Sequence, residues 1–230
     1  MLFEKIVCLN LDHRLSDGER LERLFRFTGV PFERFVVGKG TLLTPRMYSR
    51  VDEPHVSSLW AAGQYRHLPN SYHAFAAYQH IIQNAYARGT RSVLLLEDDA
   101  DLASPDTFER DLAAIEAEIT RQNLQWDMLY LGCNHTWSTT IQVAPNLLKT
   151  LGGVCFHAVI LRESVFKDIL DFVPVKPIDT TVAERLHTKY NCLAAWPNLV
   201  IQKPGYSHVE GKNRDYSDFW ACKGNPALCL

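Results

Sequence analysis

The sequence predicts an α/β protein with a mostly parallel central sheet, and three observations carry that expectation. Lys5-Ile-Val-Cys-Leu-Asn-Leu11 is nearly continuous apolar, the pattern of a strand buried on both faces. A helical segment and a second strand-like run, Phe32 to Val37, follow it as a βαβ unit. A third apolar run, Ser92 to Leu96, comes after a long helical segment and stops abruptly at a cluster of carboxylates.

The elements follow in order. Between the first two strands, Ser16 and Glu19 have capping-box spacing, Leu21, Leu24 and Phe25 supply an apolar helical face, and Gly29 ends the helix. Residues 38–70 carry Gly38, Gly40, Pro45, Pro54, Gly63 and Pro69 without clear periodicity and are expected to be irregular. Phe75, Tyr78, Ile81, Ile82 and Ala85 then line one face of a helix over 71–88, ended by Gly89. Ser104 as cap and Pro105 at the first position predict another helix, with Phe108, Leu112, Ile115 and Ile119 at helical spacing. Asp127 to Leu131 reads as a fourth strand closed by Gly132, and Gly153 to Leu161 as a fifth. A helix over 163–172 precedes Pro174 and Pro177, and Asp179 is placed to cap a helix running to about Tyr190. Two short strands around Trp196 and Val200 follow. From Gly205 the chain is polar and reads as a loop, with 205–230 a lid or a tail.

At 230 residues the chain suits one domain, 1–230, able to bury a core without disulfides or a structural metal. Lys plus Arg count 24 and Asp plus Glu 26, and no basic run suggests nucleic acid as a partner. No apolar run approaches the roughly 18 residues of a membrane helix. No small-residue cleavage site follows the first apolar run, so a strand rather than a secretion signal is expected there. The six cysteines, at 8, 133, 155, 192, 222 and 229, form no CxxC pair. Reduced thiols of a cytoplasmic protein, free or peripheral to a membrane, are expected, with pairing of Cys222 and Cys229 left open.

The most informative residues are Glu97, Asp98, Asp99 and Asp101, at the carboxyl end of an apolar strand. In open α/β sheets ligands collect at that end. At an effective dielectric of about 20, two carboxylates 4 Å apart repel by roughly 4 kcal/mol. Such a cluster raises pKa values or attracts a cation, and an all-oxygen site favours Mg²⁺ or Mn²⁺. The alternative is a solvated acidic turn in which Asp101 helps to start the next helix.

With these segments in place, the sequence resembles glycosyltransferase family 25, the lipooligosaccharide and collagen galactosyltransferase-like group. Ile6 to Arg14 looks like that family's opening strand and its Asn-Leu-Asp-Arg turn. Asn70 to His80 is similar to its histidine-bearing helix, although Tyr72 separates Ser71 from His73. Leu94-Leu-Leu-Glu-Asp-Asp-Ala100 matches its DxD-like metal motif, and Trp126 to Gly132 the strand that follows. Pro177-Ile-Asp179 and Trp196 to Gln202 are looser echoes. The resemblance implies a nucleotide-diphosphate-sugar transferase fold of the glycosyltransferase A type, which is Rossmann-like. It also implies a UDP-sugar donor, a divalent cation (Mn²⁺ or Mg²⁺) and inversion at the anomeric carbon. Galactose is the family's commonest donor sugar, and its acceptors are glycan or protein hydroxyls.

Roles follow residue by residue. Asp99 is the expected primary metal ligand, with Glu97 or Asp101 as the second, because i and i+2 side chains share a face of an extended segment. Asp98 is a candidate for the donor's ribose or sugar. His208 is a candidate further ligand or a surface histidine. Asn10, where the first strand ends, is a candidate for binding the donor; Asp12 suits uracil or ribose, or merely starts the next helix, and Arg14 suits the diphosphate. Arg20 reads as a solvated helix residue, and Lys39 as a phosphate contact or an exposed lysine. Asp179 is the candidate general base, or a purely structural cap. His73 and His157 are secondary candidates, and Tyr72, Trp60 and Trp137 are candidates for stacking on a sugar. The rival readings are an inactive nucleotide-sugar-binding protein, a metal-dependent phosphohydrolase using Asp12 and His13, and an interaction module.

Overall fold

Period-two alternation along the strands builds two cores, one on each face of a sheet. In β1 (Lys5–Leu11), Ile6 and Cys8 face one core and Val7 the other. The same split divides Leu94 and Leu96 from Val93 and Leu95 in β3 (Ser92–Glu97), and Leu129 and Leu131 from Met128 and Tyr130 in β5 (Met128–Asn134). Helices cover both faces. Leu21 of α1 (Leu15–Leu24) and Phe108, Leu112, Ile115 and Ile119 of α3 (Phe108–Arg121) complete the first core. α2 (Leu68–Ala87), α4 (Glu163–Asp171) and α5 (Ile178–Arg185) complete the second. This is a computed structural model, and it describes residues 1–38, 68–134, 140–174, 176–207 and 211–217.

The main sheet has eight strands in the order β2-β1-β3-β8-β5-β9-β7-β6, with β2 Phe32–Val37, β6 Thr140–Ala144, β7 Leu147–Thr150, β8 Val154–Arg162 and β9 Cys192–Ala195. The expectation of a mostly parallel sheet is corrected: the sheet is mixed. β1 pairs in parallel with β2 and β3, and β5 with β9. β8 enters between β3 and β5 antiparallel to both, and β7 is antiparallel to β6 and β9. An apolar run buried on both faces reports burial and not direction, so the fifth predicted strand was legible while its reversal was not.

Local expectations shift at the helix starts. α1 begins at Leu15 with no side-chain cap, after a short 3₁₀ turn over Asp12–Arg14, so Ser16 lies inside the first turn and makes no capping box. Thr107, not Ser104, precedes α3; residues 104–107 form a turn in which the Thr107 N–H donates to the Ser104 carbonyl. Pro177 holds the cap position of α5, which ends at Arg185, and Asp179 falls in its first turn. Gly132 does not close β5 but sits inside it at an irregularity in the register. Two small sheets complete the description. β4 (Ala100–Leu102) pairs antiparallel with β10 (Val200–Gln202), and β11 (Gly205–Ser207) with β12 (Lys212–Arg214), where a loop was expected.

Candidate functional site

The site forms where β3 runs out. After Glu97 the chain turns, with the Asp98 N–H donating to the Leu9 carbonyl of β1, and enters β4. β10 then runs antiparallel beside β4, matching Gln202 to Ala100, and the Lys203 N–H donates to the Asp99 carbonyl at 2.8 Å. This pairing delivers Gln202 to the two carboxylates that point off the strand end. Its Nε2 lies 3.4 Å from Glu97 Oε2 and 3.4 Å from Asp99 Oδ2. The other Glu97 oxygen accepts from the Tyr78 hydroxyl at 2.6 Å, and Tyr78 is itself buried in α2 against the Phe156 ring. Asp99 Oδ1 is buried without a hydrogen-bond partner.

Burial dominates the electrostatics. It pushes the Glu97 carboxyl up to about 8, with the Asp99 charge adding to the rise and the Tyr78 hydrogen bond opposing it. Asp99 is raised to about 6 by burial and then by the Asp98 charge, while Arg14 works in the other direction. Burial thus holds both acids toward their protonated forms, and a cation beside them would favour the ionised ones.

A cleft of about 200 Å³ has Asp99 and Gln202 in its wall, with Glu97 behind them (it does not line the cleft). Arg14, Lys203 and Arg214 bring cations to it, Asp17 an anion, and Tyr206 and Tyr216 aromatic faces. Arg14 is aimed by two contacts: Nη1 donates to Asp98 Oδ1 at 3.2 Å and Nη2 to the Tyr206 carbonyl at 2.7 Å. Lys203 Nζ pairs with Asp17.

The structure separates the predicted residues into groups. Glu97 and Asp99 come together; Asp101 does not join them. Arg20 Nη1 donates to Asp101 Oδ1 at 2.7 Å and Nη2 to the Ala100 carbonyl at 2.6 Å, so Arg20 is an ion-pair anchor for β4 rather than a solvated helix residue. Asp98 is buried and faces inward: Oδ2 accepts the Leu11 N–H at 2.8 Å and Asn10 Nδ2 at 3.2 Å. Asn10 is likewise buried, donating also to the Arg14 carbonyl at 2.9 Å, and it packs so tightly on Gly18 that a Cβ there would stand 2.1 Å from its Oδ1. Asn10 and Asp98 thus shape the turn that presents Arg14. Asp12 and His13 lie exposed on that turn, 3.2 Å apart, and do not line the cleft.

Asp179 is half-buried and does not line the cleft, but its charge reaches Glu97 and Tyr78. Its Oδ2 accepts the Cys155 N–H at 3.1 Å and its Oδ1 the Thr180 N–H at 2.8 Å. Cys155 has φ 78°, a conformation that costs a non-glycine residue about 1 kcal/mol or more, and Asp179 helps to hold it. Burial raises the Asp179 pKa, against the backbone N–H groups that lower it. His157 lies in the core with Nε2 at 3.2 Å from the Val200 carbonyl, and burial lowers its pKa to about 4. His73 is half-buried in α2 and does not line the cleft. His208, Lys39, Trp60, Trp137, Cys222 and Cys229, with the Tyr72 side chain, lie outside the described residues. Cys8, Cys133, Cys155 and Cys192 are not in disulfides.

Sequence reasoning missed Gln202, Lys203, Asp17, Tyr206, Arg214 and Tyr216. Gln202 stood at the end of a quoted motif without a role, and nothing local marks it, because its partners are more than 100 positions away.

No protein-family profile matches the chain, and no curated protein matches it either. The family 25 resemblance therefore stays with the motifs quoted above. Among solved structures, the chain is similar to A197 from STIV, at 9% identity over 83% of this chain and 81% of that one, with a TM-score of 0.43. It is also similar to a glycosyltransferase involved in the glycosylation of the major capsid of PBCV-1, at 12% identity over 90% of this chain and 96% of that one, with a TM-score of 0.46. At such scores neither likeness decides what the site does, and its own residues must. Among the described residues no helix is long and apolar enough to cross a membrane.

Proposed function

We propose that this chain is a cation-assisted glycosyltransferase that moves a hexose from a nucleoside diphosphate to a hydroxyl acceptor. The observation that carries the reading is the junction of the Glu97–Asp99 carboxylate pair with a cleft bearing Arg14, Lys203 and Arg214. A diphosphate calls for both parts. Cationic side chains match its outer oxygens, and one or two carboxylates beside them suit a divalent ion shared with phosphate.

The residues fit such an ion. Their donors are hard oxygens, Asp99 Oδ1 is buried without a partner, and a cation would favour the ionised carboxylates that burial disfavours. Among the described residues no three of His, Cys, Asp and Glu gather as a metal centre, so Glu97 and Asp99 would hold the ion together with phosphate and water, the usual manner of Mg²⁺ or Mn²⁺. When bound, the ion supplies Lewis-acid stabilisation of the charge developing on the leaving diphosphate. Arg14, fixed by Asp98 and the Tyr206 carbonyl, supplies a second positive group to the same oxygens. Tyr206 and Tyr216 offer faces for a base or sugar.

In this reading Asp179 takes the acceptor's proton. Its raised pKa favours that role, and the Cys155 and Thr180 N–H groups that donate to it fix its orientation. UDP-galactose as donor, Mn²⁺ as the ion, inversion, and 1–230 as one transferase domain rest on the motif resemblance.

The test is calorimetric titration of UDP into the protein with and without Mn²⁺, repeated on Asp99→Asn. Binding that needs Mn²⁺ and weakens at least about tenfold in the variant is expected. Equal binding in all arms would remove the cation from the reading, and no binding in any arm would remove the donor site.

A further inference from the structure

We propose that Gln202 is a third protein ligand of the divalent ion, its side-chain amide turning over to place Oε1 where Nε2 now stands. The inference rests on the cation reading above and adds a ligand that no metal-motif pattern contains. Three observations lead to it.

First, Nε2 sits between the two carboxylates, 3.4 Å from one oxygen of each. Both separations exceed the usual 2.7–3.2 Å of an N–H···O bond, so the amide is stationed there by its backbone more than by strong hydrogen bonds. Secondly, Gln202 Oε1 is buried and has no hydrogen-bond partner, as is Asp99 Oδ1. A buried acceptor left unpaired is unfavourable, so neither side chain is fully satisfied in the arrangement without an ion. Thirdly, the backbone is fixed. Gln202 is in register with Ala100 across the β10–β4 pair, and the next N–H, that of Lys203, donates to the Asp99 carbonyl at 2.8 Å.

The two ends of an amide have nearly the same shape, so rotation about the last side-chain bond exchanges N and O without new space. It would leave three oxygens with two edges near 3.4 Å. Neighbouring oxygens in an octahedron with metal–oxygen distances of about 2.1 Å are about 3 Å apart, so both edges made by the amide are near that spacing. The amide thus serves two states of one site. As a donor it softens the repulsion between Glu97 and Asp99, and as an acceptor it joins them around the ion.

The experiment titrates Mn²⁺ alone, and Mn²⁺ with UDP, into wild type, Gln202→Leu and Gln202→Asn, following free Mn²⁺ by its electron paramagnetic resonance signal. Metal-free thermal melts check that each variant is folded. If Gln202 is a ligand, Leu removes the oxygen and Asn holds it short, and both weaken Mn²⁺ binding at least about tenfold. If Gln202 is only a donor to the carboxylates, its removal leaves Mn²⁺ affinity unchanged or raises it, which overturns the inference and spares the cation reading. A wild type that binds no Mn²⁺ in either arm overturns both. Should Gln202→Leu fail to fold, Gln202→Asn, which keeps the amide, carries the comparison.

Discussion

Replacing Asp98 by Asn tests the turn that presents Arg14. Three donors converge on the Asp98 carboxylate: the Leu11 N–H and Asn10 Nδ2 on one oxygen, Arg14 Nη1 on the other. An amide has one acceptor oxygen, so one side of this arrangement must face an NH₂ group. With the oxygen kept toward Leu11 and Asn10, which are held by β1, the Arg14 contact is lost. The Asp98 side chain is 7% exposed and that of Arg14 21%, so solvent screens this pair little. A hydrogen bond between charged groups in such a place contributes about 1.5–3 kcal/mol, and Asp98→Asn should destabilise by about that amount. Urea denaturation measures it. With a slope of about 2–3 kcal/mol per molar, the midpoint should fall by about 1 M at unchanged slope. Arg14 keeps its bond to the Tyr206 carbonyl, so UDP binding should weaken without vanishing. A midpoint shift below about 0.2 M would refute the reasoning, because it would mean that the buried carboxylate does not hold the turn.

Two further predictions concern pH and packing. Burial raises Glu97 and Asp99 above their unfolded values of 4.5 and 3.8, so the unfolded chain releases these protons first and stability falls as pH rises from 3.8 to about 8. In EDTA, Asp99→Asn should therefore melt above wild type at pH 8, by more than about 1 kcal/mol, with the difference narrowing by pH 5; thermal melts across that range check the sign. At Gly132 an added Cβ would stand 2.0 Å from the Val200 carbonyl oxygen and 2.3 Å from His157 Nε2. Gly132→Ala should destabilise by about 2–3 kcal/mol and, by displacing β10, weaken Mn²⁺ binding as well; a variant with wild-type melting and affinity would show that β5 and β10 separate freely there.

Much of the scaffold was legible because its signals are local. β1 is bounded by Lys5 and Leu11 as read, since an apolar run of that length reports burial on both faces, and the half-buried β2 by Phe32 and Val37. All four apolar positions singled out in α3 are buried, because a 3.6-residue period survives any arrangement of neighbours. The acid cluster's place at the end of β3 followed from the same reading.

Other features depended on what the chain meets after folding. The capping box at Ser16 gave way because Asp98, 87 positions from Leu11, captures that residue's N–H and sets where α1 begins. β6 and the β11–β12 pair were missed because short strands with exposed or polar positions carry little periodic signal. Four neighbouring carboxylates looked alike in sequence and received different neighbours in space. Asp98 meets Arg14 and two amides, Asp101 meets Arg20, and Glu97 and Asp99 share Gln202. The sequence by itself determined which segments are strands and helices and that charge gathers at the end of β3. Only the tertiary structure decided the direction of β8 and which carboxylates face each other. Hydrophobic period is a property of one segment, whereas strand direction and side-chain partnership are properties of two segments that the chain brings together from more than 60 residues apart.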